Sequence, residues 1–252
     1  MHREELHTRF NSQNPIVIPV IHVLDHDQAK RNINAAIAGG CSGVFLINHD
    51  FEKERLLPII QSIRAEFPDY WIGVNFLAVT GEFAFPILGD LQRRGVRVDG
   101  YWADDACIDE RRAIDDQVDA KRIDAARKES GWQGLYIGGT AFKKQREVAP
   151  KDYARSAAIA CNHMDLVVTS GVATGHAADI DKIKTFRTHC GNTALALASG
   201  VTPDNAHQYA EHVDLFMVAT GINFDNDFYN IDPAKLKQLI INISNSEVSH
   251  EL

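Results

Sequence analysis

Apolar residues in this chain gather into eight short runs: Ile16 to Val23, Gly43 to Ile47, Trp71 to Phe76, Val98 to Ala103, Gly134 to Ile137, Leu166 to Thr169, Thr193 to Ala198 and Leu215 to Ala219. Their starts lie on average about 28 residues apart. The runs favour branched and aromatic residues and do not alternate cleanly with polar ones, the pattern of strands buried on both faces. Between them the periodicity turns helical, over segments that include Asp27 to Ala38, Phe51 to Phe67, Ala120 to Lys128, Asp152 to Cys161, Ala178 to Arg187 and Asn205 to His212. Gly39-Gly40 ends the first of these, and Thr202-Pro203 and Asp232-Pro233 are start signals for a seventh and an eighth helix. In the last, Leu236, Leu239 and Ile240 form an apolar stripe while Lys235 and Lys237 face solvent.

Alternating strands and helices mean a parallel sheet covered by helices, which can be open or closed. Eight repeats in 252 residues select the closed form, a single (β/α)8 barrel of the TIM type. The barrel is expected over residues 16–243, after an N-terminal extension at 1–15 and before a polar C-terminal tail at 244–252, neither needed by the core. The longest interval separates the fourth and fifth strands, where Asp104 to Gln117 adds a polar connection suited to a rim or lid.

Composition narrows the partners. Thirty-four acidic and twenty-six basic residues give a net charge of −8, which opposes extended binding to nucleic acid or anionic lipid but leaves room for a local anion pocket built from backbone amides. Cys41, Cys107, Cys161 and Cys190 form no CxxC pair and read as reduced structural thiols. The opening MHREELHTRF has no apolar signal core and no apolar stretch reaches the roughly 18 residues a membrane span requires, so the expected location is cytoplasmic. A homo-oligomer is compatible with the fold, although no apolar interface patch stands out.

In such a barrel the carboxyl ends of the strands form the ligand face. His22, Asn48, Asn75, Asp104, Asp105, Lys143, Thr169, Ser199 and Thr220 all fall there. Ser199-Gly200 and Ala219-Thr220-Gly221, after the seventh and eighth strands, supply hydroxyls and closely approachable amides for a phosphate or other anion. Their alternative is a plain turn followed by a helix cap. Thr169-Ser170-Gly171, followed by Thr174-Gly175, adds a further wall or a flexible turn. His22 and Asp104 are the acid/base candidates. Lys143 stabilises developing negative charge, with a Schiff base as the lesser alternative, and Asn48 and Asn75 orient the uncharged part of the ligand. Asp104 and Asp105 are candidate Mg²⁺ ligands, with Asp105 alternatively a loop cap; two carboxylates alone fall short of a full coordination shell. No zinc signature occurs.

Five segments resemble the BtpA-like family: IGVNFLA at Ile72 to Ala78, WADDACIDE at Trp102 to Glu110, VVTSGVATG at Val167 to Gly175, ASGVTPDNA at Ala198 to Ala206, and VATGINFDNDFYNIDPAKL at Val218 to Leu236. The resemblance implies a phosphate-binding TIM barrel and spans about residues 16 to 240. It maps the family's strand-three asparagine to Asn75, its strand-four acid to Asp104, its lysine after strand five to Lys143, and its late anion loops to Ser199-Gly200 and Ala219-Thr220. Gly139 stands where the family pattern has an acidic residue and Asn223 where it has a lysine. One family member is associated with photosystem I biogenesis. The reading is therefore an enzyme acting on a small phosphorylated sugar or nucleotide-like metabolite, with a non-catalytic metabolite-binding or assembly factor as the alternative.

Overall fold

The computed structural model describes residues 1–173 and 175–245. Eight parallel strands close into a barrel in chain order: β1 (Ile16–Val23), β2 (Gly43–Asn48), β3 (Trp71–Asn75), β4 (Gly100–Ala103), β5 (Leu135–Gly139), β6 (Leu166–Ser170), β7 (Ala194–Ala198) and β8 (Leu215–Val218). Each pairs with the next, and β8 returns to β1 through Ile16 opposite Leu215 to Pro19 opposite Val218. Around it lie α2 (His26–Ala38), α3 (Lys53–Glu66), α4 (Gly81–Arg93), α5 (Val118–Ser130), α6 (Tyr153–Ala160), α7 (Ile180–Cys190) and α8 (Pro233–Asn245). The expected (β/α)8 TIM barrel is the observed fold.

Both strand faces are buried, which is why the runs lack polar alternation. Ile16, Ile18, Val20, Phe45, Ile47, Leu135, Ile137, Leu166, Val168, Leu215 and Met217 fill the bore, while Val17, Ile21, Val44, Leu46, Val167, Leu195 and Phe216 pack in the outer layer with the helices. Aromatic rings occupy the bore at β2, β3 and β4, with centroids 5.2 Å apart for Phe45–Trp71 and 6.0 Å for Phe45–Trp102. Glycine on the neighbouring strands makes that possible. A Cβ on Gly73 would lie 2.3 Å from the Phe45 ring, and one on Gly100 would lie 2.6 Å from the Trp71 ring.

Three features depart from the sequence expectations. First, α4 stands between β3 and β4, outside the helical segments named from the periodicity; Phe85, Leu88 and Leu91 are its buried stripe. Second, the seventh helix expected over Asn205 to His212 is a single tight turn, Ala206–Gln208. Asn205 holds the chain back there, its Oδ1 accepting from the Thr202 amide and its Nδ2 donating to the Gly200 carbonyl, both at 2.8 Å. Third, residues 1–15 do contribute to the core. They carry α1 (Arg3–Phe10), whose Leu6 and Phe10 join the inner cluster and close the floor, with the Phe10 ring 5.5 Å from that of Trp71. Arg3 and Arg187 both bind the fully buried Asp214 carboxylate, at 2.6 and 2.9 Å, fastening α1 and α7 to the start of β8.

The expected cap of the last helix forms, with the Ala234 amide donating to Asp232 Oδ1 at 2.8 Å. Residues 244 and 245 belong to α8, and the rest of the expected tail, residues 246–252, lies outside the described residues. Among the described residues no helix is long and apolar enough to cross a membrane.

Candidate functional site

His22 carries the inward parity of Ile18 and Val20 to the mouth of the barrel, where it is buried. Its Nδ1 donates to the Phe228 carbonyl at 3.0 Å, which leaves Nε2 as the acceptor nitrogen. The imidazole stacks on the Phe228 ring with centroids 3.8 Å apart and planes 12° from parallel. Burial pushes its pKa down from 6.5 to about 4, against the Phe228 hydrogen bond, and nearby His49 and Lys143 push the same way. At neutral pH His22 is therefore a neutral hydrogen-bonding group. Its basicity falls well short of a base matched to pH 7.

Lys143 follows β5 and reaches across to β7, where its Nζ donates to Ser199 Oγ. Its own amide donates to Ser170 Oγ at 2.8 Å, and that hydroxyl donates onward to the Gly171 carbonyl at 2.8 Å. Ser199 and Gly200 are both left-handed, with φ of 70° and 68°. A small cavity of about 40 Å³ opens here, lined by His22, Trp102, Lys143, Ser199, Gly200, Ala219, Thr220 and Gly221 among others. That volume holds on the order of three waters. It is narrow because the loop after β6 lies across it: a Cβ on Gly200 would meet the His176 carbonyl oxygen at 1.9 Å, and one on Gly171 would meet it at 2.4 Å. Of the Thr174-Gly175 pair, Gly175 lines the cavity and Thr174 lies outside the described residues.

Asn75 and Asp104 stand beside this cavity without lining it. Asn75 Nδ2 donates to Asp104 Oδ1 at 3.1 Å, while Asn75 Oδ1 is buried with no partner. Burial pushes the Asp104 carboxyl above the usual range, opposed by Lys143 and by the Asn75 hydrogen bond. Burial likewise pushes the Lys143 amine down, opposed by Asp104 and reinforced by Lys144. Asp105 turns away, its Oδ1 accepting from the Cys107 amide at 2.7 Å. The adjacent carboxylates thus do not face one metal, and among the described residues no group of three or more His, Cys, Asp or Glu side chains assembles as a cation site.

Two candidates serve the backbone instead. Asn48 spends both ends of its amide, donating to the Phe51 carbonyl at 2.7 Å and accepting from the Leu77 amide at 3.1 Å. Thr169 is fully buried, and its hydroxyl donates to the Ala141 carbonyl at 3.3 Å. Each thus has at least one hydrogen bond committed to backbone.

The structure adds residues that sequence reasoning passed over. Trp102 forms part of the cavity wall and its buried indole N–H has no partner. Lys182 is buried behind β6, where its Nζ donates to the carbonyls of Ala141 and Ser170 at 2.6 and 2.7 Å. Burial pushes its pKa down to about 8. Gly139 explains its own departure from the acidic pattern: any Cβ there would lie 2.0 Å from the Asp104 carbonyl oxygen. Of these, only the Gly139 departure had a sequence signal.

A closed (β/α)8 barrel with a lysine and two glycine-bearing loops at its carboxyl-end mouth is the class of protein these features define. The BtpA family matches over residues 142–245, a span that includes Lys143 and the loops after β6, β7 and β8. Comparison with curated proteins gives no match. Among solved structures, the chain is similar to the tryptophan synthase alpha chain from Legionella pneumophila subsp. pneumophila, at 14% identity and a TM-score of 0.67, covering 97% of this chain and 98% of that one. It is also similar to phosphoribosyl anthranilate isomerase from Thermus thermophilus, at 13% identity and a TM-score of 0.60, covering 91% and 98%. At these identities the likeness is one of fold.

Proposed function

We propose that this protein is an enzyme acting on a small phosphorylated metabolite, of the sugar-phosphate or nucleotide-like kind. The observation that carries the reading is the Lys143 ammonium donating to Ser199 Oγ at a cavity bordered by Gly200, Thr220 and Gly221. One cation, two hydroxyls and glycine backbone are the donor set a phosphate needs, concentrated in a chain whose net charge is −8. Asp104, whose carboxyl burial pushes above the usual carboxylate range, serves as the acid/base group. Asn75 orients it, and neutral His22 offers Nε2 to a ligand hydroxyl. The similarity of tryptophan synthase alpha chain and phosphoribosyl anthranilate isomerase in fold is compatible with this reading but does not carry it.

A second reading, a non-catalytic metabolite-binding or assembly factor, draws on the loop after β6, whose His176 carbonyl presses on Gly200 and narrows the pocket. Thermal unfolding across a panel of phosphorylated metabolites tests the first. A ligand present at a hundred times its Kd stabilises the fold by about 2.7 kcal/mol. Such a shift, lost in Ser199→Ala, supports the pocket, and no shift across the panel removes it. Turnover of that ligand, abolished in a folded Asp104→Asn variant, decides for the enzyme over the binding factor.

A further inference from the structure

Lys143 is held more elaborately than a phosphate clamp requires. Its amide is fixed by Ser170 Oγ at 2.8 Å. The carbonyl of Ala141, two residues earlier, accepts from Lys182 at 2.6 Å and from Thr169 at 3.3 Å. Ala141 and Lys144, neither of them glycine, are both left-handed, with φ of 47° and 59°. Non-glycine residues hold such angles only where the surroundings impose them, and they gather at functional sites. The side chain so positioned runs beside the Phe142 ring, its Nζ 5.9 Å from the centroid, and lines the cavity with Trp102.

The titratable groups that face it are Asp104, Lys144 and His22, the last of them neutral. Asp104 and Lys143 feel each other electrostatically, yet no ion pair closes between them. A gap wider than an ion pair separates a half-buried amine from a half-buried carboxyl, with the glycine-bearing loop after β7 alongside. An amine desolvated and flanked by a second cation is the form in which lysine becomes a nucleophile.

We propose that Lys143 is a Schiff-base lysine, condensing with the carbonyl of a short-chain phosphorylated aldehyde or ketone whose phosphate lies against Ser199 and Gly200. This deepens the phosphate reading above and rests on it for the second half of the ligand. The neutral amine adds to the carbonyl carbon, forming the N–C bond and sending the π pair to oxygen. The nitrogen gives up one proton and the oxygen takes one, which yields the carbinolamine. Asp104 then protonates the hydroxyl, the C–O bond breaks, water leaves, and the nitrogen lone pair forms the C=N⁺ bond. The balance is amine, carbonyl and one proton in, iminium and water out. The Asn75 amide on Asp104 Oδ1 leaves the other carboxyl oxygen to carry that proton. The ligand is short because the amine that takes the carbonyl already touches the serine at the anion loop.

The test uses the full-length protein with dihydroxyacetone phosphate or pyruvate in the presence of borohydride, followed by intact mass and peptide mapping. The expected result is one adduct, a mass gain of the probe less one oxygen, on the peptide bearing Lys143. Lys143→Arg, which keeps the charge, abolishes it, and Asp104→Asn slows it roughly a hundredfold. No adduct in the wild type overturns the proposal, as do adducts spread over exposed lysines and unchanged in Lys143→Arg. Inorganic phosphate in a thermal-shift assay separates the two readings. A phosphate shift without trapping overturns the Schiff base alone, whereas trapping of pyruvate without a phosphate shift supports the lysine and overturns the phosphate half.

Discussion

The imidazole of His22 lies flat on the Phe228 ring, 3.8 Å between centroids, while its Nδ1 donates to the Phe228 backbone carbonyl at 3.0 Å. One residue from the loop after β8 thus buries His22 and fixes its tautomer. Residues 206 positions apart in sequence meet here because β8 closes the barrel against β1. The same loop is fastened to α2 and to the β2 end, since the Tyr229 carbonyl accepts from Gln28 and Asn32 and its hydroxyl donates to Asp50 at 2.8 Å.

This pairing has a pH signature. Burial holds the folded pKa of His22 at about 4, below its ordinary 6.5. Between those values the unfolded chain binds more protons, so stability rises with pH. The contribution is complete above pH 6.5 and falls away toward pH 4, by roughly 3 kcal/mol at most. Urea midpoints from pH 4 to 7 are expected to depend less steeply on pH in His22→Gln than in the wild type. In Phe228→Ala, an NMR titration is expected to find the His22 pKa moved upward.

Gly200 and Gly40 separate two kinds of glycine. Both are left-handed, at φ of 68° and 83°, but a Cβ on Gly200 meets the His176 carbonyl at 1.9 Å whereas one on Gly40 meets nothing within 4 Å. Gly40→Ala is expected to cost about 1 kcal/mol from backbone strain. Gly200→Ala adds overpacking of a further 1 to 3 kcal/mol, on the order of the cost in crowded cores. Chemical denaturation of the two variants measures the difference. Equal costs would mean that the loop after β6 does not press on Gly200.

Lys182 is expected to matter for the site without touching a ligand. Replacing it with Met removes the ammonium donor from the Ser170 carbonyl and one of two side-chain donors from the Ala141 carbonyl, and costs about 2 kcal/mol. Because both carbonyls frame Lys143, any phosphate-induced thermal shift is expected to shrink as well. A variant destabilised with its phosphate response intact would restrict Lys182 to stability.

At the opposite end, Leu6→Ala is expected to cost about 2 to 5 kcal/mol in urea denaturation, the range for a truncated core leucine. Leu6 is fully buried, in a helix that reads as a polar extension. A cost near zero would return residues 1–15 to the periphery.

Local patterning alone encodes the barrel. Eight doubly buried strands need apolar residues on both faces, and helices between them need a 3.6-residue stripe, so the alternation is written locally. Its omissions are also physical. The helix Gly81–Arg93 carries Phe85, Leu88 and Leu91 on one face but has Pro86 inside it, which weakens its local signal, and α1 has only Leu6 and Phe10 as a buried apolar face. At the mouth, position at the carboxyl ends of the strands groups His22, Asn75 and Asp104 at one end of the barrel. What tertiary structure decided was how each side chain is spent. Asn48 and Thr169 satisfy backbone groups, Asp105 caps a turn, and Asn75 keeps one oxygen free. Lys143 meets Ser199 and Lys182 meets Ser170 only because closure places β5, β6 and β7 side by side. A hydrogen bond or a desolvation penalty depends on neighbours distant in sequence, and nothing in the local pattern encodes which partner a polar group will find.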